Sequence, residues 1–185
     1  MLRSDGDNIY NQAHIFDAKG DIALCYQKIH LFGLMGEDNF IDAGSQLPVL
    51  DTEFGRIATA ICYDLRFPEI FRYFALSGAK IIFLPAQWPK PRLLHYQRLI
   101  QARAIENQVF IVSSNRVGVS SKYDFFGHSM VVDPWGEIIY EGPEKEESAC
   151  IEIDLRKVEE AKNRLNSVND VNYELYKKIL SIEKK

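Results

Sequence analysis

Three thiols, Cys25, Cys62 and Cys150, are the side chains with most chemistry to offer. An odd number cannot pair fully, and none sits in a CxxC pair or a Cys/His cluster with metal-ligand spacing. Disulfides and a structural metal are therefore disfavoured. Each thiol is then either packing or a nucleophile. Cys62 closes the small-residue run Arg56-Ile57-Ala58-Thr59-Ala60-Ile61 and precedes a turn toward a helix, the place where a sheet presents a reactive side chain. On that ground packing and catalysis stand about even for it. Cys25 and Cys150 lie inside alternating, strand-like stretches, where cysteine packs as a small hydrophobe.

A thiol of pKa ~8.5 is only slightly ionised at neutral pH, so a catalytic cysteine needs a base or a cation beside it. Spacing singles out none of His14, His30, His95 and His128, and each reads as a structural histidine. Lys28 is followed by Ile29-His30-Leu31-Phe32, apolar company unusual for a lysine, although residue types alone leave it a surface side chain. Glu37, in the loop-like stretch from Gly33 to Gly44, reads as a solvated acid. Trp88, after a strand's carboxyl end, is either a pocket wall or core packing. Arg66 with Glu69, and Arg103 with Glu106, read as structural pairs.

These residues depend on a frame that the pattern of apolar positions outlines. Ile9 to Phe16 and Asp21 to Lys28 are β-compatible runs joined by Asp17-Ala18-Lys19-Gly20, a hairpin signal. Arg56 to Cys62 reads as a strand. Pro68 to Gly78 reads as a helix with proline in its first turn and glycine as its stop. Lys80 to Pro85 is an apolar run suited to a strand covered on both faces, and Leu93 to Asn107 predicts a longer helix before the strand Val109 to Ser113. Strand, helix, strand, helix, strand implies parallel crossovers, whereas Gly127 to Tyr140, divided by Asp133-Pro134-Trp135-Gly136, implies an antiparallel hairpin. The sheet is expected to be mixed. Cys150 to Asp154 alternates like a last strand, and Leu155 to Leu165 reads as an exposed helix or tail.

The 185 residues, 46% hydrophobic and 26% charged, suit one domain with a substantial core, here residues 1–185 with a tail from about 166. A net charge of -4 with dispersed basic residues gives no footprint for nucleic acid. Apolar runs are far shorter than the ~20 residues of a membrane span, and Met1-Leu2-Arg3-Ser4-Asp5 is no signal peptide, so a cytoplasmic location away from membranes is expected.

Several stretches together resemble one family. Tyr26-Gln27-Lys28-Ile29-His30-Leu31-Phe32 resembles the lysine motif of the nitrilase superfamily, and Cys62-Tyr63-Asp64-Leu65-Arg66-Phe67-Pro68-Glu69 resembles its cysteine motif. Leu84 to Pro89, Gln101 to Asn107 and Gly127 to Glu137 are similar to the family in the same order. The resemblance implies a four-layer α-β-β-α sandwich with mixed sheets, no cofactor and a Glu-Lys-Cys constellation. It makes Cys62 the nucleophile toward an amide or nitrile carbon, with Lys28 and the N–H of Tyr63 holding the oxyanion. Glu37 matches a second family glutamate that orients lysine and water, and Trp88 becomes a candidate substrate contact. The cysteine and Gln87-Trp88-Pro89 phrases look most like the omega-amidase-like branch, which implies a small-molecule amide substrate, a 2-oxo dicarboxylate monoamide, with release of ammonia. A homodimer or larger homo-oligomer is expected by the same analogy.

The family's first catalytic glutamate lies well upstream of the lysine, and this chain starts too close to Lys28 to include it. The expectation is thus an N-terminally truncated domain, and two outcomes remain open. One is an amidase whose complete protein is active; the other is an inactive module that acts through protein contacts.

Overall fold

The computed structural model describes residues 1–181 apart from 7, 121 and 166. Strands β1 (Leu2–Asp5), β2 (Asn8–Phe16) and β3 (Ile22–Gln27) form an antiparallel sheet in that order. The β2–β3 hairpin is the one expected. Its turn is built by Asp17, whose carboxylate accepts from the N–H groups of Lys19 (2.8 Å) and Asp21 (3.0 Å).

A short hairpin follows, β4 (Leu50–Thr52) with β5 (Gly55–Thr59), and then a 3-10 turn at Cys62–Arg66. After it come α1 (Pro68–Leu76), β6 (Ala79–Ala86), α2 (Leu93–Asn107) and β7 (Phe110–Asn115). A two-stranded arm, β8 (Val117–Ser120) and β9 (Tyr123–Phe126), precedes β10 (Met130–Val132) and β11 (Ile138–Glu141). The chain continues through α3 (Arg156–Arg164) and α4 (Tyr173–Leu180). The main sheet has the order β11-β10-β7-β6-β5-β4, with β5, β6 and β7 parallel and the remaining pairs antiparallel. The mixed α/β fold expected from the sequence is therefore present.

Register explains how the sheet is covered. Ala58, Ile82, Ile111 and Val132 lie opposite one another on successive strands and face the core built with Ile70, Phe71 and Phe74 of α1 and Tyr96, Ile100 and Ala104 of α2. One residue earlier, Ile57, Ile81 and Phe110 form the matching row on the other face, where Val158 of α3 packs. Residues buried on both faces leave no alternation, which is why β6 reads as a continuous apolar run. Tyr26 of β3 meets Phe74 of α1 edge to face, with centroids 6.4 Å apart, so the small sheet is packed onto the same core.

Two expectations need correction. Cys150 to Asp154 forms no strand, because Ile153 packs across a face of the main sheet with Ile57, Ile81 and Phe110 instead of pairing with an edge. Cys25 and Cys150 are exposed, not packed, since each falls on the outward side of its segment. Helix α4 falls within the segment from about 166 that the sequence marks as a tail; residues 166 and 182–185 lie outside the described residues. Strands β1, β4, β8 and β9 were not foreseen: they are short and carry little alternation, and pairing defines them.

Phe74 is fully buried and joins α1 to the small sheet. Replacing it by alanine should lower unfolding free energy by about 3–5 kcal/mol, read from the shift in urea midpoint.

Candidate active site

Cys62 stands where β5 gives way to the 3-10 turn, with φ of 47°. A non-glycine residue in the left-handed region costs free energy and persists only where its surroundings enforce it. Here the enforcement comes from Asp64, whose carboxylate accepts the N–H of Ile61 at 2.9 Å while its own N–H donates to the Ile61 carbonyl at 3.0 Å. The first N–H groups of such a turn have no acceptor within it, and that of Tyr63, next to the thiol, is one of them.

Asp64 reaches further than its own turn. Its fully buried carboxylate also accepts the Tyr26 hydroxyl at 2.8 Å and the His30 backbone N–H at 3.0 Å, and the His30 ring Nδ1 lies 3.0 Å from it. Burial, and then the charge of Asp64, push the Tyr26 phenol far above its ordinary pKa, so it remains a donor. Tyr26 and His30 bracket Lys28, and one carboxylate thereby ties the lysine segment to the cysteine turn.

Lys28 is buried, contrary to the surface reading that its residue type suggests. Its ammonium is paired with Glu37, which in turn is not the solvated acid expected of a loop. Glu37 also accepts from Asn11 Nδ2 at 2.9 Å and from the Phe32 N–H at 2.8 Å. Burial pushes its carboxyl upward, but the hydrogen bonds from Lys28, Asn11 and Phe32 outweigh this and hold it below the usual carboxylate range. The hairpin backbone is fixed from behind by Gly44, whose N–H donates to the Lys28 carbonyl at 2.9 Å. A Cβ on Gly44 would fall 2.3 Å from the Gln27 carbonyl oxygen, so only glycine permits this approach.

Cys62, Lys28 and Glu37 line one cleft of about 1040 Å³. Asn11, Gln12 and Ala13 of β2 form one wall, and Ala86, Gln87, Asn115 and Arg116, at the carboxyl ends of β6 and β7, form another. The Gln87 backbone N–H adds a local dipole that favours the Cys62 thiolate. Burial raises the thiol pKa, the Lys28 charge and the Gln87 N–H lower it, and the charges of Glu37 and Asp64 raise it; the net effect is upward. Asn115 fixes this wall, accepting the Trp88 N–H at 2.7 Å and donating to the Gly127 carbonyl at 2.7 Å.

Tyr63 and Trp88 border a small notch on the other side of Cys62, with Phe32, Arg66 and Arg92. Trp88 is mostly packing: it is 3% exposed, meets the Tyr96 ring at a tilt and donates Nε1–H to the Arg92 carbonyl at 3.1 Å. Arg66 does not pair with Glu69; its guanidinium lies 4.9 Å from the Trp88 ring centre, because the turn directs it toward α2. Arg103 does meet Glu106 at 2.9 Å, and its Nε–H donates to the Leu65 carbonyl at 3.1 Å, bracing the cysteine turn. His14 and Gln12 pair at the cleft edge, His95 lies 3.4 Å from Arg66, and His128 binds Glu141 at 2.7 Å. No cluster of three or more metal-binding side chains exists among the described residues.

The residues not singled out from sequence are Asp64, Gln87, Asn115 and Arg116. For Asp64 a signal existed, a short acid set among Tyr63, Leu65 and Phe67, where a solvated side chain would be out of place. For Gln87 the contribution is a main-chain N–H, which leaves no trace in residue type.

With this geometry in place, the sequence comparisons are decisive about family. The profile of the carbon-nitrogen hydrolase family matches residues 1–163, and the chain belongs to that family. It is 39% identical over 175 residues to a 2-oxoglutaramate amidase of Bacillus subtilis (strain 168), an alignment covering 95% of this chain and 67% of the relative. The crystal structure of a carbon-nitrogen hydrolase from Helicobacter pylori G27 superposes with a TM-score of 0.93 at 26% identity, covering 98% of this chain and 69% of that one. A mutant of the amidase from Nesterenkonia sp. AN1, 26% identical with a TM-score of 0.81, covers 92% of this chain and 61% of its own; it shows the acetamide moiety of fluoroacetamide covalently added at its active-site cysteine. This chain thus spans about two thirds of the length of the proteins it matches.

The thiol environment makes a signed prediction. Alkylation of Cys62 by iodoacetamide, followed peptide by peptide with mass spectrometry, should have its pH midpoint above that of an ordinary thiol. Lys28→Met removes a neighbouring cation and should move the midpoint higher. Glu37→Gln removes a neighbouring anion and should move it lower. No displacement in either variant would dissociate Cys62 from the pair.

Proposed function

We propose that this chain carries the nucleophile and oxyanion site of an amidase that opens the terminal amide of a small carboxylate-bearing substrate. The observation that carries the reading is the shared cleft in which Cys62, Lys28 and Glu37 meet, with Asp64 locking the lysine segment against the cysteine turn.

In the proposed cycle the Cys62 S–H bond breaks and sulfur bonds to the amide carbon. The carbonyl oxygen takes up negative charge against the Lys28 ammonium and the Tyr63 N–H. The C–N bond then breaks, and nitrogen leaves as ammonia with the proton that came from sulfur. Water adds to the thioester, the S–C bond breaks, and one water proton returns to sulfur as the acid departs. Glu37 is the carboxylate lining the cleft among the described residues. Its oxygens already accept three donors, which suits it to holding Lys28 more than to carrying protons.

The name of the Bacillus subtilis relative supports a 2-oxo dicarboxylate monoamide as substrate, and the covalent adduct in the Nesterenkonia amidase supports a cysteine intermediate. Assembly as a homodimer or larger belongs to the same reading, supported by the exposed Tyr173, Leu175, Tyr176 and Ile179 of α4. A cytoplasmic setting suits three cysteines that form no disulfide, and no described helix is long and apolar enough to cross a membrane.

A second reading, a module without turnover that acts through protein contacts, draws on the raised Cys62 pKa and the full engagement of Glu37. Ammonia release from 2-oxoglutaramate separates the two. Under the amidase reading the complete protein releases ammonia, and Cys62→Ala lowers the rate by at least about 10³-fold with an unchanged circular dichroism spectrum. A folded complete protein that releases none decides for the second reading.

A further inference from the structure

Lys28 and Glu37 neutralise each other, and among the described side chains that line the cleft the remaining strong cation is Arg116. It follows Asn115 at the carboxyl end of β7, and its backbone N–H donates to the Ala86 carbonyl at 3.0 Å, which fixes it beside the end of β6. The guanidinium lies 4.7 Å from the Phe125 ring centre, and Nη1 donates to the Gln87 side-chain oxygen at 3.2 Å. No carboxylate forms an ion pair with Arg116 among the described residues, so N–H groups of its planar fork are left for a ligand.

Its position relative to the nucleophile is set by a single residue. Gln87 accepts from Arg116 with its side chain and lines the cleft together with Cys62, bordering the thiol on the notch side as well. The cleft thus has room for an amide with its carbonyl carbon at Cys62 to extend along Gln87 toward an oriented, unneutralised guanidinium.

We infer that Arg116 is the residue that selects the substrate by gripping its distal carboxylate. The assignment rests on reading the cleft as an amidase site and adds the side chain that determines which amides enter it. The stacking on Phe125 and the bond to Gln87 hold the fork in advance, so little side-chain freedom is lost on binding.

The test compares glutaramate with its methyl ester, which has the same amide and no charge. The ratio of their kcat/KM values measures recognition of the carboxylate and cancels any disturbance that Arg116 variants transmit through Gln87 to Cys62. Arg116→Gln should reduce that ratio by about 10- to 100-fold, the size expected on losing a charge-assisted hydrogen-bonded pair. Arg116→Lys should restore part of it by keeping the charge without the fork. An unchanged ratio in Arg116→Gln, with both substrates affected equally, would overturn the assignment.

A second measurement does not depend on turnover. Glutarate binding by isothermal titration should weaken at least 10-fold in Arg116→Gln, with thermal unfolding of the variant checked in parallel. Equal binding by the folded variant rejects the role of Arg116. Loss of the Cys62 reading alone would show as turnover surviving in Cys62→Ala and would leave this binding result standing.

Discussion

A single buried carboxylate organises the site. Asp64 accepts a phenol hydroxyl and two backbone N–H groups and lies against an imidazole nitrogen, and these partners come from β3, the segment after it and the cysteine turn. Such a group is costly to bury alone and acceptable only when its oxygens are satisfied, so the arrangement holds together or is lost together. Each donor it recruits has a second consequence. Tyr26 also packs on Phe74, and the His30 ring stacks on Phe67 with centroids 3.5 Å apart. The polar hub is thus fastened to the apolar core on both sides.

From this hub the electrostatics of the thiol follow. Cys62 is held in a left-handed conformation that brings it to the cleft, within range of a cation, two anions and an amide N–H. The anions are there for structural reasons: Asp64 holds the turn and Glu37 holds the lysine. They oppose thiolate formation, and Lys28 with the Gln87 N–H offsets part of that opposition and of the burial. Position and ionisation are consequently in tension, since the groups that place the sulfur also hold its proton on.

Much of the frame was legible from sequence because hydrophobic pattern reports burial directly. The β2–β3 hairpin, α1, β6, α2, β7 and the β10–β11 hairpin all lie where apolar periodicity and turn residues place them. The segment at Cys150 to Asp154 shows the limit of such reasoning, since alternation marks a half-buried extended chain without saying whether a partner strand exists. The site was less legible. Residue-level reading took Lys28 and Glu37 for solvated groups, because the partner that makes burial tolerable for each lies nine residues away across a loop. Family resemblance brought those two and Cys62 together, but it did not mark Asp64, whose partners lie 34 and 38 residues back along the chain.

Those separations bear on how the molecule assembles. The bond between Asp64 and Ile61 spans three residues and can form as soon as the turn exists, whereas the bonds to Tyr26 and His30 close long loops. During synthesis the β2–β3 hairpin emerges before the carboxylate that anchors it is made. The hairpin must therefore wait, undocked, until the following segment supplies both its polar anchor and the Phe74 surface. Maturation of the thiol's surroundings is in this way deferred to the closing stages of folding, after the scaffold beneath it has set.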